Sequence, residues 1–214
     1  MTRRPVKGGC AGGTVGVTRA ICQSCAVHVS ITVPTEDPRL AREIYPELER
    51  IGYDRAFSFE ARHDPFVPLV VAAEHTDRIG LGTAIAIAFA RTPMTLANTG
   101  WDLQAVTGGR FVLGLGSQVR PHVEQRYSMP WSRPVARLRE MVLGIRAIWS
   151  AWETGDRLDF EGDYNTHTRK VPAYDTGPNT HRPPPIITTG LGPRMKAVAG
   201  EVADGFVVHP FTTR

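Results

Sequence analysis

The residues with chemical potential fall into a few short stretches. The first is Phe59-Glu60-Ala61-Arg62-His63-Asp64, with four ionisable side chains in five positions. A carboxylate beside an imidazole can serve as a general acid or base, and the ordinary histidine pKa lies nearest neutrality. Glu60 and His63 are therefore the catalytic candidates. Structural roles compete for the same residues: Asp64 stands before Pro65 as a helix cap, and Arg62 can pair with Glu60.

Two glycine-rich stretches come next. "GGRFVLGLGSQ" resembles a phosphate loop, but Val119 occupies the third glycine position of a dinucleotide fingerprint and no lysine follows for a P-loop. What is left is a buried strand, Phe111-Val112-Leu113, running into a tight turn at Gly114, Gly116 and Ser117. In the second stretch, Thr188-Thr189-Gly190-Leu191-Gly192 leads directly into Pro193 and a helix start. Two hydroxyls, a glycine backbone and the positive end of a helix suit an anion, so this is the expected phosphate site. His209 follows the last apolar run.

Elements that position these stretches recur along the chain. Asp37-Pro38, Asp64-Pro65, Thr92-Pro93 and Gly192-Pro193 each open a helix, since proline tolerates the first helical position and the residue before it can cap free amides. Arg50-Ile51-Gly52, Arg78-Ile79-Gly80, Thr107-Gly108-Gly109 and Ala203-Asp204-Gly205 read as helix ends. Apolar strands follow at Tyr53–Phe59, Leu81–Phe89, Arg110–Leu113 and Phe206–His209; with Val27–Val33 and Pro185–Thr189 they make six. Near-continuous apolar runs such as "LGTAIAIAF" belong to parallel strands covered on both faces. A helix with Leu138, Met141, Val142, Ile145, Ile148, Trp149 and Trp152 on one stripe is core. The irregular insert Thr154–Pro184 contains a hairpin candidate, "LDFEGDYNTHT", and is expected to be a lid or wall of a site. Alternating strands and helices mean a doubly wound sheet or a barrel, with ligands at the C-terminal strand ends.

Bulk properties narrow the classes. The formal charge is +4, but residues 1–25 carry Arg3, Arg4, Lys7 and Arg19 without an acid, so the body is neutral and offers no nucleic-acid stripe. The longest apolar run, Leu81–Ala90, is too short for a membrane helix. Cys10, Cys22 and Cys25 all lie in the head; with only His28 nearby, no metal site is expected there. A cysteine-free body fits a cytoplasmic protein. Residues 1–25 are expected to be a disordered or non-native head, and 26–214 a single domain.

Taken in order, "ERIGYDRAFSFE", "RIGLGTAIAI", "TPMTLANTGWDLQAVTGGRFVLGLGSQ", "PPIITTGLGPRM" and "GEVADGFVVHPF" resemble the luciferase-like monooxygenase superfamily, from about Val27 onward. "GTAIAIAFARTPMTLAN" and "GLGSQV" are most similar to its actinobacterial branch of oxidoreductases dependent on coenzyme F420. The resemblance implies a TIM-type (β/α)8 barrel, here incomplete with about six βα units and an insert after the fourth. It implies F420, with FMN as the alternative, held at the C-terminal face. A non-proline cis peptide is implied at Ala84–Ile85, so Thr83, Ala84 and Ile85 would back the ring. Gly114, Gly116 and Ser117 would flank it, Thr188, Thr189, Gly190, Leu191 and Gly192 would hold the phosphate tail, and His209 would touch substrate.

The implied activity is hydride transfer between F420 and a small organic substrate, or oxygen-dependent monooxygenation with FMN. A homodimer is the expected assembly. Two departures stand out. Ala61 replaces the histidine that many relatives carry after the strand-two acid, with His63 as the stand-in. The sequence also stops at Arg214, where the family continues through two more units, which suggests a truncated frame or an inactive fragment. A phosphate-ester hydrolase using Glu36 and Asp37 is the remaining reading, weakened because Asp37 suits a cap.

Overall fold

The computed structural model describes residues 27–34 and 36–208. The cysteines, the head and His209 lie outside them. Six parallel strands form one continuous path: β1 (Ser30–Val33), β2 (Arg55–Ser58), β3 (Gly80–Thr83), β5 (Phe111–Gly116), β8 (Ile186–Thr189) and β9 (Gly205–Val207). The short β4 (Ala86–Ile87) continues beyond the end of β3 and pairs with β5. Every pairing on the path is parallel, with neighbours taken in chain order, as in a (β/α) barrel. The sheet is open: β1 and β9 each have a single neighbour among the described residues.

Helices return the chain between strands: α1 (Ala41–Ile51), α2 (Val67–Ala73), α3 (Pro93–Val106), α4 (Pro134–Thr154) and α5 (Pro193–Val202). Their starts follow the cap-and-proline pattern with local adjustments. Thr92 caps α3 through a reciprocal box with Thr95, its hydroxyl accepting from the Thr95 amide at 3.2 Å. Asp37 caps a 3₁₀ turn, Pro38–Leu40, ahead of α1. Asp64 accepts from the Phe66 amide at 2.8 Å, and α2 begins only at Val67.

The core lies between the helices and the sheet. Leu138, Met141, Val142, Ile145, Ile148, Trp149 and Trp152 of α4 are all buried, as their spacing requires. Each such aliphatic side chain contributes roughly 1.5–3 kcal/mol by leaving water. Trp149 stacks on Trp101 at 6.1 Å between centroids and donates to the Ala97 carbonyl. The hairpin in the insert is present as β6 (Phe160–Glu161) and β7 (Thr166–His167), paired antiparallel.

Several expected boundaries are corrected. Helix α2 stops at Ala73 rather than near Gly80; Glu74–Ile79 is an irregular turn whose amides at 77–79 are held by Glu49. The run Leu81–Phe89 is not one strand, because it breaks at Ala84–Ile85 and ends in a 3₁₀ turn at Ala88–Ala90. Gly114 and Gly116 are not in a turn. Both are buried inside β5, where a Cβ on Gly114 would overlap the Thr83 carbonyl and one on Gly116 would press against Ile85 at 2.9 Å. Glycine at Gly114 serves close backbone approach rather than a bend.

Candidate functional site

A cleft of about 620 Å³ opens where β3, β5 and β8 end, within the size range of small-molecule sites. Ile85 forms one side, and the Ala84–Ile85 peptide is cis, at the bond the resemblance implied. Gly116 and Ser117 form the floor at the end of β5, and Thr189, Gly190 and Leu191 follow from β8. Gly116 lies between Ile85 and Thr189, whose side chains come to about 3 Å from where its Cβ would be, so any larger residue here would press against both.

Beyond Leu191, Gly192 starts α5 with φ +83°, and no side chain caps the first turn. These features leave the amide end of α5 open toward an anion. Among the described residues Arg120 supplies the one charged side chain lining the cleft, and it is paired with Glu124 at 2.9 Å.

Of the remaining ring and tail candidates, Thr83 and Thr188 are buried. The Thr83 hydroxyl donates to the Gly114 carbonyl at 2.7 Å and accepts from its amide at 2.9 Å. Thr83 thus locks β3 onto β5 at the point where their hydrogen-bonded ladder has stopped. Ala84, Gly114 and Gly192 stand behind or beside the lining residues. The Thr189 hydroxyl donates to the Val207 carbonyl at 2.8 Å and ties β8 to β9.

Glu60 and His63 do not line this cleft. The Glu60 carboxylate is 5% exposed and fully engaged. One oxygen accepts from the Ile87 amide and the Arg91 guanidinium, both at 2.7 Å; the other accepts from the Tyr127 hydroxyl at 2.8 Å. The Glu60 amide also donates to the Ile85 carbonyl at 3.0 Å. Burial and the Glu60 charge together hold the Tyr127 phenol above its usual range. Arg62 is not the partner of Glu60; Arg91 takes that place and also reaches Asp64 at 2.8 Å. His63 is exposed, with Nε2 2.7 Å from the Glu36 carbonyl, pinning the β2 loop to the β1 loop.

Sequence reasoning missed Gln118, Val119, Arg120, Trp131, Pro134, Val135 and Met195, which complete the lining. Trp131 was findable as an isolated aromatic in a polar, proline-rich stretch; the others carry no local signal. The insert Thr154–Pro184, expected as a lid or wall, supplies none of the residues lining this cleft and borders a separate hollow of about 530 Å³ with Met94, Asn98 and Trp152. It packs outside instead, with Gly177 accepting from Trp101 Nε1 and Arg182 from Gln104 Nε2 through their carbonyls.

Comparison with known proteins agrees with this geometry. The model of the family described as luciferase-like monooxygenase matches residues 15–214. The chain belongs to this family. An uncharacterized protein of Mycobacterium tuberculosis is 50% identical over 167 residues, 78% of this chain and 49% of the relative. The F420-dependent glucose-6-phosphate dehydrogenase of Intrasporangium calvum is 32% identical over 176 residues, 74% of this chain and 50% of that one. Among solved structures, the oxygenating constituent of 3,6-diketocamphane monooxygenase from Pseudomonas putida, in complex with FMN, superposes with a TM-score of 0.68. That match is at 16% identity and covers 84% of this chain and 57% of that chain. The chain spans about half the length of the curated relatives it matches. Its fold is an incomplete luciferase-like (β/α) barrel.

Proposed function

We propose that this luciferase-like chain binds coenzyme F420 in the cleft at the strand ends and works as an oxidoreductase on an organic substrate. The observation that carries the reading is the convergence of Ile85, Gly116, Ser117, Thr189, Gly190 and Leu191 on one cleft, from three separate strand ends. A planar ring is assigned to the cleft beside Gly116 and Ser117, backed by Ile85. The anionic tail fits the uncapped start of α5 beside Gly190, Leu191 and Gly192. When bound, the deazaflavin supplies the hydride chemistry, and the protein supplies orientation and a dry wall.

In this reading Glu60 acts through position. Its hydrogen bonds fix the segment Ile85–Ile87, and with it the side of the cleft that supports the ring. His63 holds the neighbouring loop. His209, two positions after β9 in the sequence, keeps the substrate-contacting role that the resemblance implies. FMN is the second reading, favoured by the shared fold with the FMN-bound monooxygenase from Pseudomonas putida.

The test is equilibrium titration of the protein with F420 and, separately, with FMN, followed by cofactor fluorescence. Leu191 is 74% exposed at the tip of the β8 loop, so Leu191→Glu should leave the melting temperature unchanged. A carboxylate placed there should weaken binding of the anionic tail by about tenfold, equivalent to about 1.4 kcal/mol. Unchanged affinity would remove the tail assignment, and the tighter of the two cofactors decides between F420 and FMN.

A further inference from the structure

The insert lies outside the cleft, yet a continuous set of contacts runs from its hairpin to the cleft wall. Glu140 of α4 is buried and holds the tip of the hairpin, accepting from the amides of Asp163 at 2.6 Å and Tyr164 at 2.9 Å and from Asn165 Nδ2 at 2.9 Å. Gly162 packs directly on that carboxylate, leaving no room for a Cβ. One turn earlier on α4, the Arg137 guanidinium lies 5.9 Å from the Tyr164 ring centre and 4.7 Å from that of Phe89. Phe89 in turn meets Trp131 edge-on, with centroids 5.7 Å apart and planes at 69°. Arg137 also donates to the Pro130 carbonyl, the residue before Trp131. Among the described residues Arg137 has no carboxylate partner, so its planar cation is committed to rings and a carbonyl.

We propose that Arg137 is a positioning residue that transmits the seating of the insert hairpin to Trp131 and so sets the width of the apolar end of the cleft, where Trp131, Pro134 and Val135 form the wall. The contact with Phe89 fixes one edge of the Trp131 ring, and the bond to Pro130 fixes the backbone beside it. The insert thereby shapes the site from outside. That the shaped space receives substrate rests on the proposed cofactor reading; the coupling itself does not.

The test uses the full chain without cofactor. Trp101, Trp149 and Trp152 are 4%, 1% and 3% exposed, so emission quenched by acrylamide reports on Trp131. Trp131→Phe should abolish that component and define the background. Arg137→Ala should raise the quenching constant about twofold, because losing the guanidinium contact frees the ring. Arg137→Lys, which keeps the charge but loses the planar face, should fall between. Tyr164→Leu removes only the hairpin end of the relay; it should raise quenching too, and it decides the matter should Arg137→Ala fail to fold by circular dichroism. Wild-type quenching in folded Arg137→Ala or in Tyr164→Leu would overturn the proposal. Failure of F420 and FMN to bind the wild-type chain would instead strike the cofactor reading and leave the quenching result standing.

Discussion

At the rim where the strands begin, charged side chains close the backbone. Glu49 accepts from the amides of Arg78 and Ile79, each at 2.7 Å, and from Asp77 at 3.2 Å; Asp54 takes the Val29 amide and Asp204 the Ile186 amide. Arg110 donates to the carbonyls of Thr76, Ile79 and Thr107. At the rim where the strands end, Gly116, Ser117, Thr189, Gly190 and Leu191 border open space, and α5 begins uncapped. Volume does not separate the two rims, because a hollow of about 640 Å³ also lies at the first, beside Gly108, Gly109 and Arg182. What separates them is the backbone: at the first rim side chains hold the amides, whereas at the second the first turn of α5 has no side-chain cap among the described residues.

Two carboxylates allow that contrast to be broken. Burial pushes Glu49 upward, but the amides of Ile79, Arg78 and Asp77 outweigh it and hold the group below the usual carboxylate range. Glu60 anchors the opposite rim and is paired with Arg91, itself only 17% exposed. Glu60→Ala leaves Arg91 with Asp64 as its one remaining carboxylate and strips the Ile87 amide and the Tyr127 hydroxyl of their acceptor, and should cost about 3–5 kcal/mol in chemical denaturation. It should also weaken cofactor binding by loosening Ile85. Glu49→Ala should cost less, about 1–3 kcal/mol, and leave cofactor affinity unchanged. Equal effects on affinity would show that the two rims are not functionally distinct.

The same contrast explains what the sequence disclosed. Helix starts at Pro93 and Pro193, the buried stripe of α4 and the hairpin at 160–167 are set by local rules, and each stands where those rules place it. The cleft is legible only in part. Gly116, Thr189 and Gly190 lie in motifs, whereas Trp131 and Met195 reach the site through tertiary packing that leaves no periodic trace. Gly114 and Gly116 looked like a turn because glycine is ambiguous in one dimension. The Thr83 carbonyl that forbids a Cβ on Gly114 is 31 residues away in the chain. The ionisable cluster at Glu60–Asp64 drew attention for its chemistry, yet Arg91, which holds two of its members, lies one βα unit further on.

His63 sharpens the contrast on a smaller scale. Its ring is exposed and makes one bond to the Glu36 carbonyl, so His63→Ala should cost about 0.5–1.5 kcal/mol. A general acid or base would show itself differently, through a loss of turnover of about 10²–10⁴-fold with binding retained. Steady-state kinetics with F420 and a reducible substrate, set beside a denaturation curve, separates the two roles. A hundredfold fall in turnover would return His63 to the catalytic machinery.

The smallest effect concerns a third region, the hairpin of the insert, which lines neither hollow. His167 stacks on Phe160 at 6.3 Å, and its Nε2 is buried without a partner among the described residues. Burial pushes its pKa below the ordinary 6.5, opposed by the nearby charge of Glu140. The unfolded chain therefore takes up this proton first as pH falls. The stability held by neutral His167 is complete above about 6.5 and is lost progressively below it. Melting temperature followed from about pH 8 to pH 5.5 should decline more steeply for wild type than for His167→Phe, which keeps the ring but cannot titrate. With the hairpin coupled to Trp131 through Arg137 as proposed, acrylamide quenching should rise over the same acidic range in wild type and stay level in His167→Phe. Parallel pH profiles in the two proteins would show that His167 does not carry the acid sensitivity.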